Sequence, residues 1–112
     1  MRTGVAGMGI EIELYAERPN RRSRPLRGSY RNGEELALVL SRLPYGEGRL
    51  GRVNPYGDTA LNEQDAGAAL AELDALAALA RTPGQREAVE DLGRMLAECA
   101  ATPGSWVLFV GD

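Results

Sequence analysis

Apolar and polar residues alternate strictly from Ile10 to Tyr15, with Ile10, Ile12 and Leu14 on one side and Glu11, Glu13 and Tyr15 on the other. A period of two is that of a strand with one face on a core, so a half-buried strand is expected here. At the other end, Trp106, Val107, Leu108, Phe109 and Val110 form an unbroken apolar run between Gly104 and Gly111. Such a run, rich in β-branched and aromatic residues, predicts a central strand covered on both faces.

Between them the period changes to that of a helix. Leu36, Val39, Leu40 and Leu43 fall at i, i+3, i+4 and i+7, with Asn32 and Glu35 placed for a capping box and Pro44 as a stop. Asn62 to Asp65 repeats the cap logic and predicts a helix reaching about Ala80. Its Leu70, Leu73, Leu76 and Leu79 recur every three residues, and because each such step drifts by about 60°, they sweep half the circumference. They suit a core, or a dimer face. Thr82-Pro83-Gly84-Gln85 puts a capping Thr, a first-turn Pro and a closing Gln ahead of a stripe of Ala88, Val89, Leu92, Met95, Leu96, Cys99 and Ala100. Burying Val89, Leu92, Met95 and Leu96 contributes roughly 1.5–3 kcal/mol each before chain entropy is charged. Cys99, on that stripe, reads as a small core residue. Gly93 weakens the helix and suits close approach of a neighbour.

Three stretches follow neither period. Residues 18–31 hold six Arg and two Pro, which predicts a mobile loop with a short strand at Ser29-Tyr30-Arg31. Arg21, Arg22, Arg24, Arg27 and Arg31 offer planar forks for phosphate or carboxylate, and Tyr30 a stacking face. The loop therefore suits nucleic acid, a phosphorylated ligand or an acidic partner, or else folds back on acidic groups of its own chain. Gly46-Glu47-Gly48-Arg49-Leu50-Gly51 matches the G-x-G-x-x-G dinucleotide string, but a helix precedes it and Asn54-Pro55 follows. That string works only between a strand and a helix N-terminus, so it reads as a glycine-permitted turn. Asn54 to Thr59 has Pro and Gly placed for a β-turn. Its acidic spacing is wrong for a calcium loop. Tyr56 and Asp58 are its candidates for contact, and Asp58 with Asp112 is conceivable as a magnesium pair.

Composition removes several chemistries. The chain has 112 residues, no His and 13 basic residues, all of them Arg. Without His or Lys, the usual neutral-pH base, the Ser-His and Cys-His pairs, Schiff-base chemistry and the phosphate-loop lysine are all missing. One Cys supplies neither a disulfide nor a zinc set. Glu11 and Glu13 share a face, as acid/base or metal chemistry would need, but alternation alone produces such pairs. No cofactor or metal is expected. Hydrophobic content of 44% with 26% charged residues suits one globular domain. No apolar run reaches the roughly 18 residues of a membrane span. Residues 1–7 lack a signal-peptide core, so we expect a cytoplasmic domain over 8–112 behind a start extension or tag. Charge is uneven: residues 18–52 carry nine Arg against three Glu, and residues 53–112 three Arg against ten acids.

Glu13-Leu14-Tyr15, Pro55-Tyr56-Gly57-Asp58-Thr59 and Phe109-Val110-Gly111-Asp112, with the Ala, Arg and Gly bias of a high-GC genome, resemble a group of small uncharacterised actinobacterial proteins. The resemblance implies no activity. The order of elements predicts an α/β (α+β) fold, a two-layer sandwich of three helices on a three- to four-stranded sheet with the first and last strands as central neighbours. The expected function is a non-enzymatic protein-binding or regulatory module, acting through the Arg loop, the Leu-rich helix or a sheet edge, with homodimerisation possible. Phosphate, nucleotide or RNA binding by the Arg loop is the alternative, and a carboxylate- or metal-dependent enzyme the second.

Overall fold

A computed structural model describes residues 9–111, so the expected extension at 1–7 and the proposed part of Asp112 lie outside the described residues. Four strands, β1 (Ile10–Tyr15), β2 (Arg27–Ser29), β3 (Asp58–Asn62) and β4 (Trp106–Gly111), form one antiparallel sheet in the order β2-β1-β4-β3. The first and last strands, β1 and β4, are its centre, as expected. Ile10, Ile12, Leu14, Leu61, Val107 and Phe109 point to one face, and each is at most 6% exposed. Onto that face pack α1 (Gly33–Leu40), α2 (Glu63–Leu70) and α4 (Pro83–Ala100), with α3 (Leu73–Ala77) packed against α4. This is the expected two-layer sandwich.

The core stripe of α4 is buried from Ala88 to Cys99. Ser105, wholly buried, ties the end of α4 to β4, its hydroxyl 2.7 Å from the carbonyl of Thr102 and 2.9 Å from that of Cys99. Burial pushes the Cys99 thiol up, which keeps it protonated, and Cys99 is a core residue. At Gly93 an added Cβ would come 3.0 Å from Leu73 Cδ1, so the glycine does admit a close neighbour. Leu76 is fully buried, and Leu70, Leu73 and Leu79 pack half-buried against the same core. The leucine series is therefore spent inside the molecule and presents no separate leucine face.

Five local expectations are corrected. The helix expected to run from about Glu63 to Ala80 breaks at Ala71–Glu72, where Ala71 N–H and Glu72 N–H turn to the carbonyls three residues back, Ala68 and Ala69, and the Glu72 backbone sits at φ −96° and ψ −4°. The short strand lies at Arg27–Ser29, not Ser29–Arg31, since the chain rejoins β1 where Leu26 N–H donates to Leu14 O. Asn32 makes no capping hydrogen bond, its φ of −103° and ψ of 20° being outside the extended region a cap requires. Asn62 and Asp65 do form a full capping box, and Thr82 accepts from Gln85 N–H at 3.1 Å. Gln85, however, reaches one residue beyond the expected closure, accepting from Arg81 N–H and from the Arg42 guanidinium at 2.8 Å each. Finally, β4 is covered on one face only: Trp106, Leu108 and Val110 stay half-exposed on the other.

Candidate functional site

The Arg-rich segment is the long connection of the β1–β2 hairpin. It is tighter than the expected mobile loop. Asn20 O accepts from Ser23 N–H at 3.1 Å, Ser23 Oγ accepts from Asn20 N–H at 2.7 Å, and Asn20 Oδ1 accepts from Arg22 N–H at 2.8 Å. This hydrogen-bonded turn places Arg21 and Arg22 at its two central positions, where side chains project outward. Arg21, Arg22 and Arg24 are exposed and make no ion pair with any described residue. Arg27 and Arg31 behave differently. Arg27 bridges to Glu98 at 3.1 Å and Arg31 to Glu87 at 3.4 Å, while Ser29 donates to Asp91 between them. Those three acids lie on α4. The five arginines thus divide into two that tie the segment to the acidic helix and three that extend beyond it.

Arg18, at the base of the loop, lies with its guanidinium carbon 5.3 Å from the centroid of the Trp106 ring. That distance is within the range of a cation–π contact. Nearby, the Glu13 carboxylate accepts from Tyr15 O–H at 2.7 Å on one oxygen and from Tyr30 O–H at 2.8 Å on the other. Burial, then this hydrogen bond and the Glu13 charge, push the Tyr15 phenol up to about 12. Tyr30 is raised too, chiefly by its hydrogen bond to Glu13. The Tyr30 ring folds over Gly28, where an added Cβ would collide with its hydroxyl oxygen. Tyr30 is thus committed to the sheet and to an acidic neighbour.

Tyr56 and Asp58 belong to the opposite end of the molecule. Six residue pairs join β1 to β4, and at about 3.4 Å per residue the Arg loop and the Asn54–Gly57 turn stand roughly 17 Å apart. The turn packs around the end of β4. The carbonyls of Asn54, Pro55 and Gly57 come within 2.6–2.7 Å of where a Cβ on Gly111 would lie, and Gly111 N–H donates to Gly57 O at 2.9 Å. Tyr56 is 73% exposed and Asp58 is exposed. Asp58 and Glu11 both register with Val110 from opposite sides, which sets them two strand spacings apart, roughly 10 Å. Among the described residues no three His, Cys, Asp or Glu side chains come together closely enough to hold a metal ion.

The glycine string does cradle an anion, and the anion is its own chain's. Both oxygens of Glu72 are filled, accepting from Arg49 N–H and from Leu50 N–H at 2.9 Å each. Gly48 sits at φ +63°, and a side chain there would strike the same carboxylate. Arg49 then bridges to Asp65 at 3.1 Å. The backbone amides a phosphate would need are already occupied. Sequence reasoning missed this pairing, and also the Arg18–Trp106 contact. Only the presence of the chain's single Trp at the start of the last strand hinted at the latter.

Compared with models of known families, with curated proteins and with solved structures, the chain matches none of them. No helix of the described residues is long and apolar enough to cross a membrane.

Proposed function

We propose that this protein is a non-enzymatic binding module that engages an acidic segment of a protein partner through Arg21, Arg22 and Arg24. The observation that carries this reading is the division of the arginines: two are anchored to α4, while Arg21 and Arg22 on a hydrogen-bonded turn and Arg24 just after it make no ion pair with a described residue. A preordered turn lowers the entropy lost on binding, and guanidinium forks pair well with carboxylates. Carboxylates are favoured over RNA because Tyr30, the one aromatic within the segment, has its hydroxyl held by Glu13, an acid that repels an approaching phosphate backbone. The glycine string adds no phosphate seat, since Glu72 fills it. The Leu-rich helix loses its part in the reading because its leucines line the core.

The test is fluorescence anisotropy with a labelled hexaglutamate peptide and a single-stranded RNA of equal charge. The expected result is that the peptide binds more tightly, and that Arg21→Ser/Arg22→Ser/Arg24→Ser abolishes its binding while leaving the circular dichroism spectrum unchanged. Tighter RNA binding, with a log–log salt slope of about −2 for three phosphate contacts, would replace this reading with the phosphate one. Undiminished peptide binding by the triple variant would remove the loop from the account.

A further inference from the structure

The face of the sheet turned away from the helices carries a second surface of opposite character. Strand register places its residues in three rows: Tyr15, Trp106 and Asn62; Glu13, Leu108 and Ala60; Glu11, Val110 and Asp58. Trp106, Leu108 and Val110 form a half-exposed column along β4, flanked by Glu11 and Glu13 on one side and Asp58 on the other. No helix lies on this face, all four being on the other. Glu13 is oriented in advance, each of its oxygens accepting one tyrosine hydroxyl and keeping a further lone pair for an incoming donor.

We infer that this face docks a basic, extended segment of a protein partner, with apolar side chains on Leu108 and Val110 and guanidinium groups on Glu11, Glu13, Asp58 and the Trp106 ring. Three observations favour that occupant. The carboxylates flank the apolar column on both sides, so an alternating basic–apolar segment finds complementary groups along it. Arg18 already sets a guanidinium over Trp106, an intramolecular instance of the contact. Size is the third argument: three strands at about 4.8 Å and four residue steps of about 3.4 Å from Trp106 to Val110 give a patch of roughly 200 Å². A globular partner, including a second copy, needs about 800 Å² on each side. A single segment of about five residues matches the patch.

The chain's only Trp is on this face, so Trp106 emission reports occupancy directly. The probe is a labelled Arg-Val-Arg-Val-Arg peptide, compared with penta-arginine and with Glu-Val-Glu-Val-Glu. The expected result is saturable binding of the first with a Trp106 emission shift, weaker binding of penta-arginine and none of the acidic peptide. Glu11→Gln/Glu13→Gln and, separately, Val110→Ser each raise Kd about tenfold or more, with circular dichroism confirming the fold of each variant. Arg18→Ala tightens binding several-fold by removing the internal competitor. The inference is overturned if Arg-Val-Arg-Val-Arg fails to bind, if penta-arginine binds equally well, or if either face variant binds as the parent does. Unchanged or weaker binding by Arg18→Ala overturns the assignment of Trp106 as a guanidinium seat. Because the probe is basic, failure here is distinct from failure of the acidic-peptide test of the loop.

Discussion

Tyr15 shows how a single residue joins the two faces of the account. It follows Leu14 on the alternating strand, yet it is only 8% exposed, with its hydroxyl bonded to Glu13. Its phenol is raised from 10.0 to about 12, so the folded state favours the protonated form. The stabilisation is complete below pH 10 and is lost as pH rises towards 12. Thermal melts from pH 9 to 12 are expected to show a steeper fall for the parent than for Tyr15→Phe; parallel curves would refute the linkage. Phe109, at 0% exposure on the other face of the sheet, is the plain packing case. Phe109→Ala is expected to cost about 3–5 kcal/mol in chemical denaturation through lost burial and a cavity. Both faces were visible in the alternation of Ile10 to Tyr15, but the hydrogen bonds linking Tyr15 and Tyr30 to Glu13 were not. They depend on Tyr30 folding over Gly28, which no local pattern announces.

Elements whose formation is decided locally were legible, and those decided by a distant partner were not. β1 and α4 carry their own period, β4 is marked by its apolar run, and Thr82 and Asn62 cap as their side chains dictate. The continuous helix expected after Glu63 fails at Glu72, whose carboxylate is taken by the amides of Arg49 and Leu50 more than twenty residues earlier. Glu72→Ala is expected to destabilise the fold by about 1–3 kcal/mol, since two half-buried amides lose their acceptor. Thr82→Ala is expected to cost about 1 kcal/mol. Equilibrium urea unfolding measures both, and a smaller loss for Glu72→Ala than for Thr82→Ala would contradict the structural weight given to the glycine turn. The apolar run of β4 misled in another way. Five apolar residues in a row imply two covered faces, yet the second face holds half-exposed Trp106, Leu108 and Val110. An apolar face without a layer over it is the mark of a surface that meets something else.

Over the whole molecule, the uneven charge along the chain becomes a spatial arrangement. The basic segment is tied by Arg27 and Arg31 to acids on α4, and this internal pairing uses up part of the charge split. What is left over is the tip, Arg21, Arg22 and Arg24, and it is the basis of the proposed function. The Asn54–Gly57 turn at the far end serves the fold by closing on Gly111, which leaves Tyr56 and Asp58 outside the loop surface. Composition thus made the arginines legible as a group, while only the three-dimensional pairing separates anchors from free cations. The most direct measurement is a backbone-amide NMR titration of the isotope-labelled protein with hexaglutamate. Saturable shifts concentrated on Asn20 to Arg24 are expected, and they vanish in Arg21→Ser/Arg22→Ser/Arg24→Ser. Shifts centred on α4 or on β4, or no shifts at all, would contradict the proposed function.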